Sequence, residues 1–162
     1  MLSPQQIKFR DRFLSPFKQK LFYLKSLPMG LISGIKLIHL DEEKSVAEVP
    51  FRWRNKNPFN SMYFAVLSMA AELSTAAPVM LALKDFDIDV ALIIVDMKVD
   101  FVKKAQSTTS FTCTEYSSIY RTIALLEQAE DTAAITIKTT GRDADANEVA
   151  TFYFTWSFKR RS

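Results

Sequence analysis

Glu72 is the only carboxylate between Ser61 and Leu83, and that stretch holds no Lys, Arg or His. A carboxylate enclosed among apolar neighbours without a cationic partner has its pKa raised by desolvation, toward the range useful for a general base near neutral pH. A structural alternative stands beside this: Glu72 caps a backbone group, or pairs with Arg54 or another arginine from a neighbouring loop or subunit. The segment around Glu72 reads as a helix. Its start offers free N–H groups and the positive end of the helix dipole, where negative charge developing on an attacked carbonyl can be held. Asn55, Asn57 and Asn60 precede that start. Their amides can orient a water or hold a carbonyl, and equally they can be turn formers before a helix. Arg52, Arg54 and Lys56 near the helix entry, with Lys103 and Lys104 at a strand end, offer cations for phosphate groups or simply solvated turns.

The rest of the composition mostly excludes. Three glycines, Gly30, Gly34 and Gly141, are too few for a glycine-rich phosphate loop. One cysteine, Cys113, allows neither an internal disulfide nor a cysteine-rich zinc site. It fits a reducing compartment, so a cytoplasmic location is expected. One histidine, His39, removes most metal and triad chemistry, and no metal site is expected. Asp143–Asn147 opens like a calcium loop, but Glu148 stands where glycine is needed and Phe154 where glutamate is needed. No Gly-x-Ser-x-Gly elbow exists. A net charge of +3 is too small to imply nucleic acid, despite a pI near 9.0 and the basic-aromatic triplet Arg52-Trp53-Arg54. Met62–Leu83 is nominally long enough to span a bilayer. Glu72 at its centre and Pro78 favour a helix buried inside a soluble fold, so no membrane span is expected.

The elements that must position these residues follow from periodicity. Residues 4–25 predict one amphipathic helix, capped by Ser3 with Pro4 at its first position, its apolar stripe running through Ile7, Phe13, Leu14, Phe17, Leu21 and Leu24. Leu31–Leu40 and Ser45–Phe51 predict a hairpin around Asp41–Lys44. A turn-rich stretch, residues 52–60, leads to the apolar helix, with Asn60 or Ser61 as its cap and Pro78 weakening it. Val95–Phe101 alternates as a half-buried strand, Ser107–Thr114 is a Thr-rich strand, and Thr132–Thr140 and Val149–Lys159 are two more. Tyr116–Glu130 reads as an exposed turn plus a short helix or a further strand. A helix that is apolar nearly all round needs cover on every side, so one antiparallel sheet is expected to curl around Met62–Ala77. The expectation is a single α+β domain over residues 1–162, a helical extension at 1–27 on a core at 28–159.

The hairpin, the lead-in Arg54-Asn55-Lys56-Asn57-Pro58-Phe59-Asn60-Ser61 and the helix carrying Ala71-Glu72 together resemble the hotdog fold. The nearest likeness is to an uncharacterised branch beside the phenylacetyl-CoA-type acyl-CoA thioesterases. The resemblance covers about residues 28–158. It implies a sheet wrapped around the central helix, two subunits pairing into a continuous sheet, and acyl-thioester sites at the subunit interface near the helix start. It maps Glu72 onto the acid that activates water or attacks the carbonyl, with the Phe64 and Ala65 amides as oxyanion donors. Beside that mapping, side-chain chemistry offers Asn57 and Asn60 as assisting groups, and Tyr63, Asn55, Arg54, Lys103 and Lys104 as candidates to contact substrate. Tyr63-Phe64-Ala65 replaces a His-Gly-Gly-like triplet with bulkier residues, and the lead-in loop lacks the histidine of dehydratase relatives. The implied activity is hydrolysis of an acyl-CoA or other acyl thioester by a homodimer or tetramer, with coenzyme A present only as part of the substrate and no separate cofactor. The alternative is the same fold binding an acyl chain or another apolar ligand without turnover. A weaker third reading is a structural dimer whose N-terminal helix recruits a partner.

Overall fold

The computed structural model describes residues 1–161. Three helices open the chain: α1 (Pro4–Leu14), α2 (Pro16–Ser26) and α3 (Pro28–Ser33). The expected single helix over 4–25 is broken in two. Ser15 is extended, as the residue before a proline must be, and Pro16 starts a new helix at N1. The expected stripe fails for the same reason: Phe17, Leu21 and Leu24 are exposed, while Gln6, Phe13, Gln19 and Tyr23 are buried. The start of α1 is as expected. Ser3 and Gln6 form a reciprocal capping box, with Pro4 at N1.

Buried glutamines tie this layer to the core. Gln6 Nε2 donates to the Leu81 carbonyl at 3.2 Å and to the Tyr116 hydroxyl at 2.8 Å. Gln19 Nε2 donates to the Phe13 and Leu37 carbonyls at 2.9 and 3.1 Å. A buried amide satisfied by chain-distant carbonyls fixes the helices where a purely apolar contact would let them slide.

The hairpin is β1 (Lys36–Leu40) and β2 (Ser45–Val49). Its first strand begins later than expected, because Pro28–Ser33 is helical and Gly34 closes that helix at φ +74°. The long apolar helix is α4 (Phe64–Leu83), running unbroken through Pro78. It is followed by β3 (Val90–Phe101), β4 (Thr109–Cys113), α5 (Tyr116–Ile123), β5 (Thr132–Arg142) and β6 (Glu148–Arg160). The ambiguous segment is thus a helix, α5, with Tyr116, Ile119 and Ile123 turned inward.

All six strands form one curved antiparallel sheet in the order β1-β2-β4-β5-β6-β3, with α4 as the central helix. Helix α4 packs chiefly on β2 and β4, less on β5, and lightly on β6. The clean alternation expected of the last strand holds: Phe152, Phe154, Trp156 and Phe158 are all buried. Two polar ties set the rotation of α4 over the sheet. Ser74 donates to the Ala71 carbonyl and so accepts from the Thr139 hydroxyl, both at 2.7 Å, while the Trp156 indole N–H donates to Thr75 Oγ1 at 3.2 Å.

Edge strand β3 departs from the half-buried expectation. Directly opposite residues share a face, and Met97 opposes Phe154 while Phe101 opposes Ala150. Both therefore belong to the inner face. Yet Met97 is 46% exposed and Phe101 52%, because α4 does not extend over this edge.

Candidate active site on the open face of the central helix

The loop before α4 is built by the asparagines expected to assist chemistry. Asn55 is buried; its Nδ2 donates to the Ser33 and Pro50 carbonyls at 2.8 and 2.7 Å, and its own carbonyl accepts the Tyr63 N–H at 2.8 Å. Asn57 Oδ1 accepts from the Phe59 and Ser61 amides at 3.0 and 3.2 Å, and its Nδ2 donates to Ser61 Oγ at 3.0 Å. Asn60 supplies a left-handed residue at φ 55°, and its carbonyl accepts from Gln106 Nε2 at 3.0 Å. Asn55 thus holds the loop and is closed to substrate, and the amide of Asn57 is engaged within the turn. A Lys56–Met62 bridge and the Met62 N–H to the Ala105 carbonyl, 2.8 Å, complete the clamp.

That clamp presents the helix start. Tyr63, not Asn60 or Ser61, is the N-cap, and it offers no side-chain capping bond. The Phe64 and Ala65 N–H groups have no hydrogen-bond partner among the described residues. Two unpaired donors at the positive end of a 20-residue helix form an anion cradle. Tyr63 and Phe64 stand over it with their rings edge to face, centroids 5.0 Å apart.

Glu72 lies on the same side of α4. Phe64, Ser68 and Glu72 recur every fourth residue along one flank of the helix, where Phe64 and Glu72 are exposed and Ser68 is half-buried. The expected enclosure of Glu72 is not complete: its side chain is exposed in the single chain. Desolvation by the surrounding helix and sheet still raises its pKa above the ordinary carboxylate range. Among the described residues it makes no ion pair and no side-chain hydrogen bond, so the Arg54 pairing is not formed. Across from this stripe lies the uncovered inner face of β3, where Ser68 Oγ approaches Met97 Sδ at 3.6 Å. Ser68 and Met97 escaped the sequence reading, although the fourfold spacing from Phe64 to Glu72 marks Ser68.

The remaining cations are dispersed. Lys103 pairs with Asp143 at 2.5 Å, and Lys104 reaches the Phe59 carbonyl at 3.5 Å. The Arg54 guanidinium lies beside Gly34 and Pro50. Cys113 is sealed in β4, and burial pushes its thiol up to about 11, which makes it inert as a nucleophile. No group of three or more metal-ligating side chains occurs among the described residues. Among the described residues one helix, Phe64–Leu83, is long and apolar enough to cross a membrane, and 67% of its most apolar window is buried inside this fold.

Residues 19–158 match the family model described as a domain of unknown function, DUF4442. The chain belongs to the DUF4442 family. No curated protein matches the sequence. Solved structures do resemble this DUF4442 chain. A Chlorobaculum tepidum protein of unknown function superposes with a TM-score of 0.75 at 13% identity, covering 92% of this chain and 99% of its own. A Pseudomonas aeruginosa protein of unknown function, described as a probable thioesterase, gives 0.71 at 18% identity over 93% and 99%. A Haemophilus influenzae thioesterase gives 0.61 at 14% identity over 85% and 87%. At these identities the likeness establishes the fold: a central helix in a curved antiparallel sheet, the arrangement the hotdog resemblance implies.

Proposed function

We propose that this protein is an acyl-CoA thioesterase of the branch beside the phenylacetyl-CoA-type enzymes, acting in the cytoplasm as a homodimer or a pair of dimers. The observation that carries the reading is Glu72: an unpaired carboxylate with a raised pKa on the open stripe of an otherwise buried helix, opposite a bare apolar wall. Glu72 would take a proton from water as that water attacks the thioester carbonyl. The oxyanion would be held by the Phe64 and Ala65 amides, and collapse of the tetrahedral adduct would expel the coenzyme A thiolate and leave the carboxylic acid. The acyl chain would run along Tyr63, Phe64, Met97 and Phe101. No cofactor is needed, and coenzyme A enters only with the substrate.

Geometry supports a site shared by two copies. Glu72 follows Phe64 by eight residues, or about 12 Å of helix at 1.5 Å per residue. A glutamate side chain cannot span that length, so one chain's Glu72 and its own helix start cannot meet the same carbonyl. A two-fold pairing along β3 would set each helix start against the other copy's Glu72 and cover the inner face of β3 at the same time.

A second reading, acyl-chain binding without turnover, is favoured by the rings of Tyr63 and Phe64 over the amide cradle. Hydrolysis of a panel of acyl-CoA esters tests the choice. Turnover lost in Glu72→Gln supports the enzyme. Thermal stabilisation by acyl-CoA with no hydrolysis on any ester supports binding alone.

A further inference from the structure

A cavity of about 600 Å³ lies between α2, α3 and β1, and it shares no lining residue with the Glu72 stripe. Its volume falls within the ordinary range for small-molecule sites. Leu14, Leu31, Ile35 and Leu37 supply apolar wall, while Lys20, Lys36, Arg52 and Arg54 bring four cations. No carboxylate lines the cavity, and none of the four cations forms a salt bridge among the described residues. Tyr23 lines the same cavity at 2% exposure and adds to its buried wall.

We infer that this cavity is a binding site for a single alkyl chain ending in an anion, distinct from the proposed thioester site. The chain lies along Leu14, Leu31, Ile35 and Leu37. The head meets the cations at the mouth, where Arg52 and Arg54 can each donate in a fork to a carboxylate or a phosphate. A carboxylate head would come from a free fatty acid, and a phosphate head from a phosphorylated lipid.

Calorimetric titration of the purified full chain with dodecanoate, dodecyl phosphate and dodecanol tests this. Both anions should bind at least tenfold more tightly than dodecanol, and whichever binds more tightly names the head. Leu31→Trp should block all three by filling the cavity. Lys20→Glu combined with Arg54→Glu changes exposed residues only; it should weaken both anions tenfold or more, leave dodecanol unchanged, and reduce the salt dependence. Glu72→Gln should bind all three as wild type does, which keeps the outcome separate from that of the proposed activity. Equal affinity for dodecanol and dodecanoate would overturn the inference. So would binding that survives both Leu31→Trp and the charge reversal, binding lost in Glu72→Gln, or displacement of dodecanoate by coenzyme A alone.

Discussion

Two point variants and their mixture decide whether the proposed site is built from two chains. Glu72→Gln keeps the shape of the side chain and removes the base, and loss of a positioned general base costs about 10²–10⁴-fold in rate. Phe64→Pro removes one oxyanion donor, and losing one such donor costs about 10²–10³-fold. The proline is compatible with the backbone. Phe64 is the first helical residue, where proline is tolerated, and Tyr63 before it is already extended at φ −65°, ψ 130°. The lost N–H has no partner among the described residues, so folding should be nearly unaffected.

Each variant alone should therefore hydrolyse acyl-CoA at least a hundredfold more slowly than wild type. Differently tagged copies of the two, co-expressed and purified through both tags, give a heterodimer. One of its interfaces joins an intact helix start to an intact Glu72, and the other joins both defects. The 12 Å separation along α4 makes the first interface functional, so the heterodimer should recover about half the wild-type rate per dimer. A heterodimer as slow as its parents would refute the shared site. It would mean that Glu72 and the amides act within one chain or that neither acts on the carbonyl.

The raised pKa of Glu72 gives two signs to check. Activity requires the ionised form, so kcat/KM should rise with pH through a midpoint above the ordinary glutamate value of about 4.3. In stability the native state holds this proton more tightly than the unfolded chain. That contribution is full below about pH 4.3 and is lost as pH rises through the folded value. Glu72→Gln should therefore raise the melting temperature at neutral pH, with the advantage vanishing in acid; an unchanged difference across pH would contradict the shift. Thr75→Val leaves the buried Trp156 N–H without its acceptor, and denaturant melts should show a loss of about 1–3 kcal/mol. At Gly141 an added Cβ would lie 2.5–3.0 Å from ring atoms of Phe111, which is fully buried in the core. Overpacking of this kind costs about 1–3 kcal/mol, so Gly141→Ala should melt earlier by that measure, and an unchanged midpoint would show that the ring can move.

The parts of the fold that were legible in the sequence are those whose packing partners lie within the chain. Phe152 to Phe158 alternate because their partners are α4 and the neighbouring strands, and the run from Met62 to Leu83 is apolar on most of its faces because sheet, α5 and α1 pack against them. The stretch from Asn55 to Ser61 was read correctly as a lead-in to a helix. The Asn55 amide, however, satisfies carbonyls at Ser33 and Pro50, contacts no local spacing announces. Glu72 stood out by its isolation along the helix. The enclosure expected of it is incomplete, since composition shows what surrounds a residue along the chain and not which flank of the helix the sheet leaves bare.

The departures fall where a residue's apolar face has no counterpart in the same chain. Val95 is 58% exposed and Met97 46%, although β3 is a regular strand hydrogen-bonded to β6 along its length. Phe17 is 77% exposed and Leu24 65% on a helix held firmly through Gln19. Periodicity reports that such residues avoid water; it does not report what they are to meet. An edge strand with a bare apolar inner face is costly for a lone chain, which normally blunts its edges with charge or proline. On β3 the inner-face positions Leu92, Ile94, Met97, Val99 and Phe101 are all apolar, and the charged residues Asp96, Lys98 and Asp100 lie between them on the other face. Charge on the outer face leaves the inner edge open to a second copy. In the proposed shared site, the same pairing that would bury Met97 would bring a foreign helix start to Glu72, so one contact between copies would account for both the exposure of β3 and the proposed division of the site between two chains.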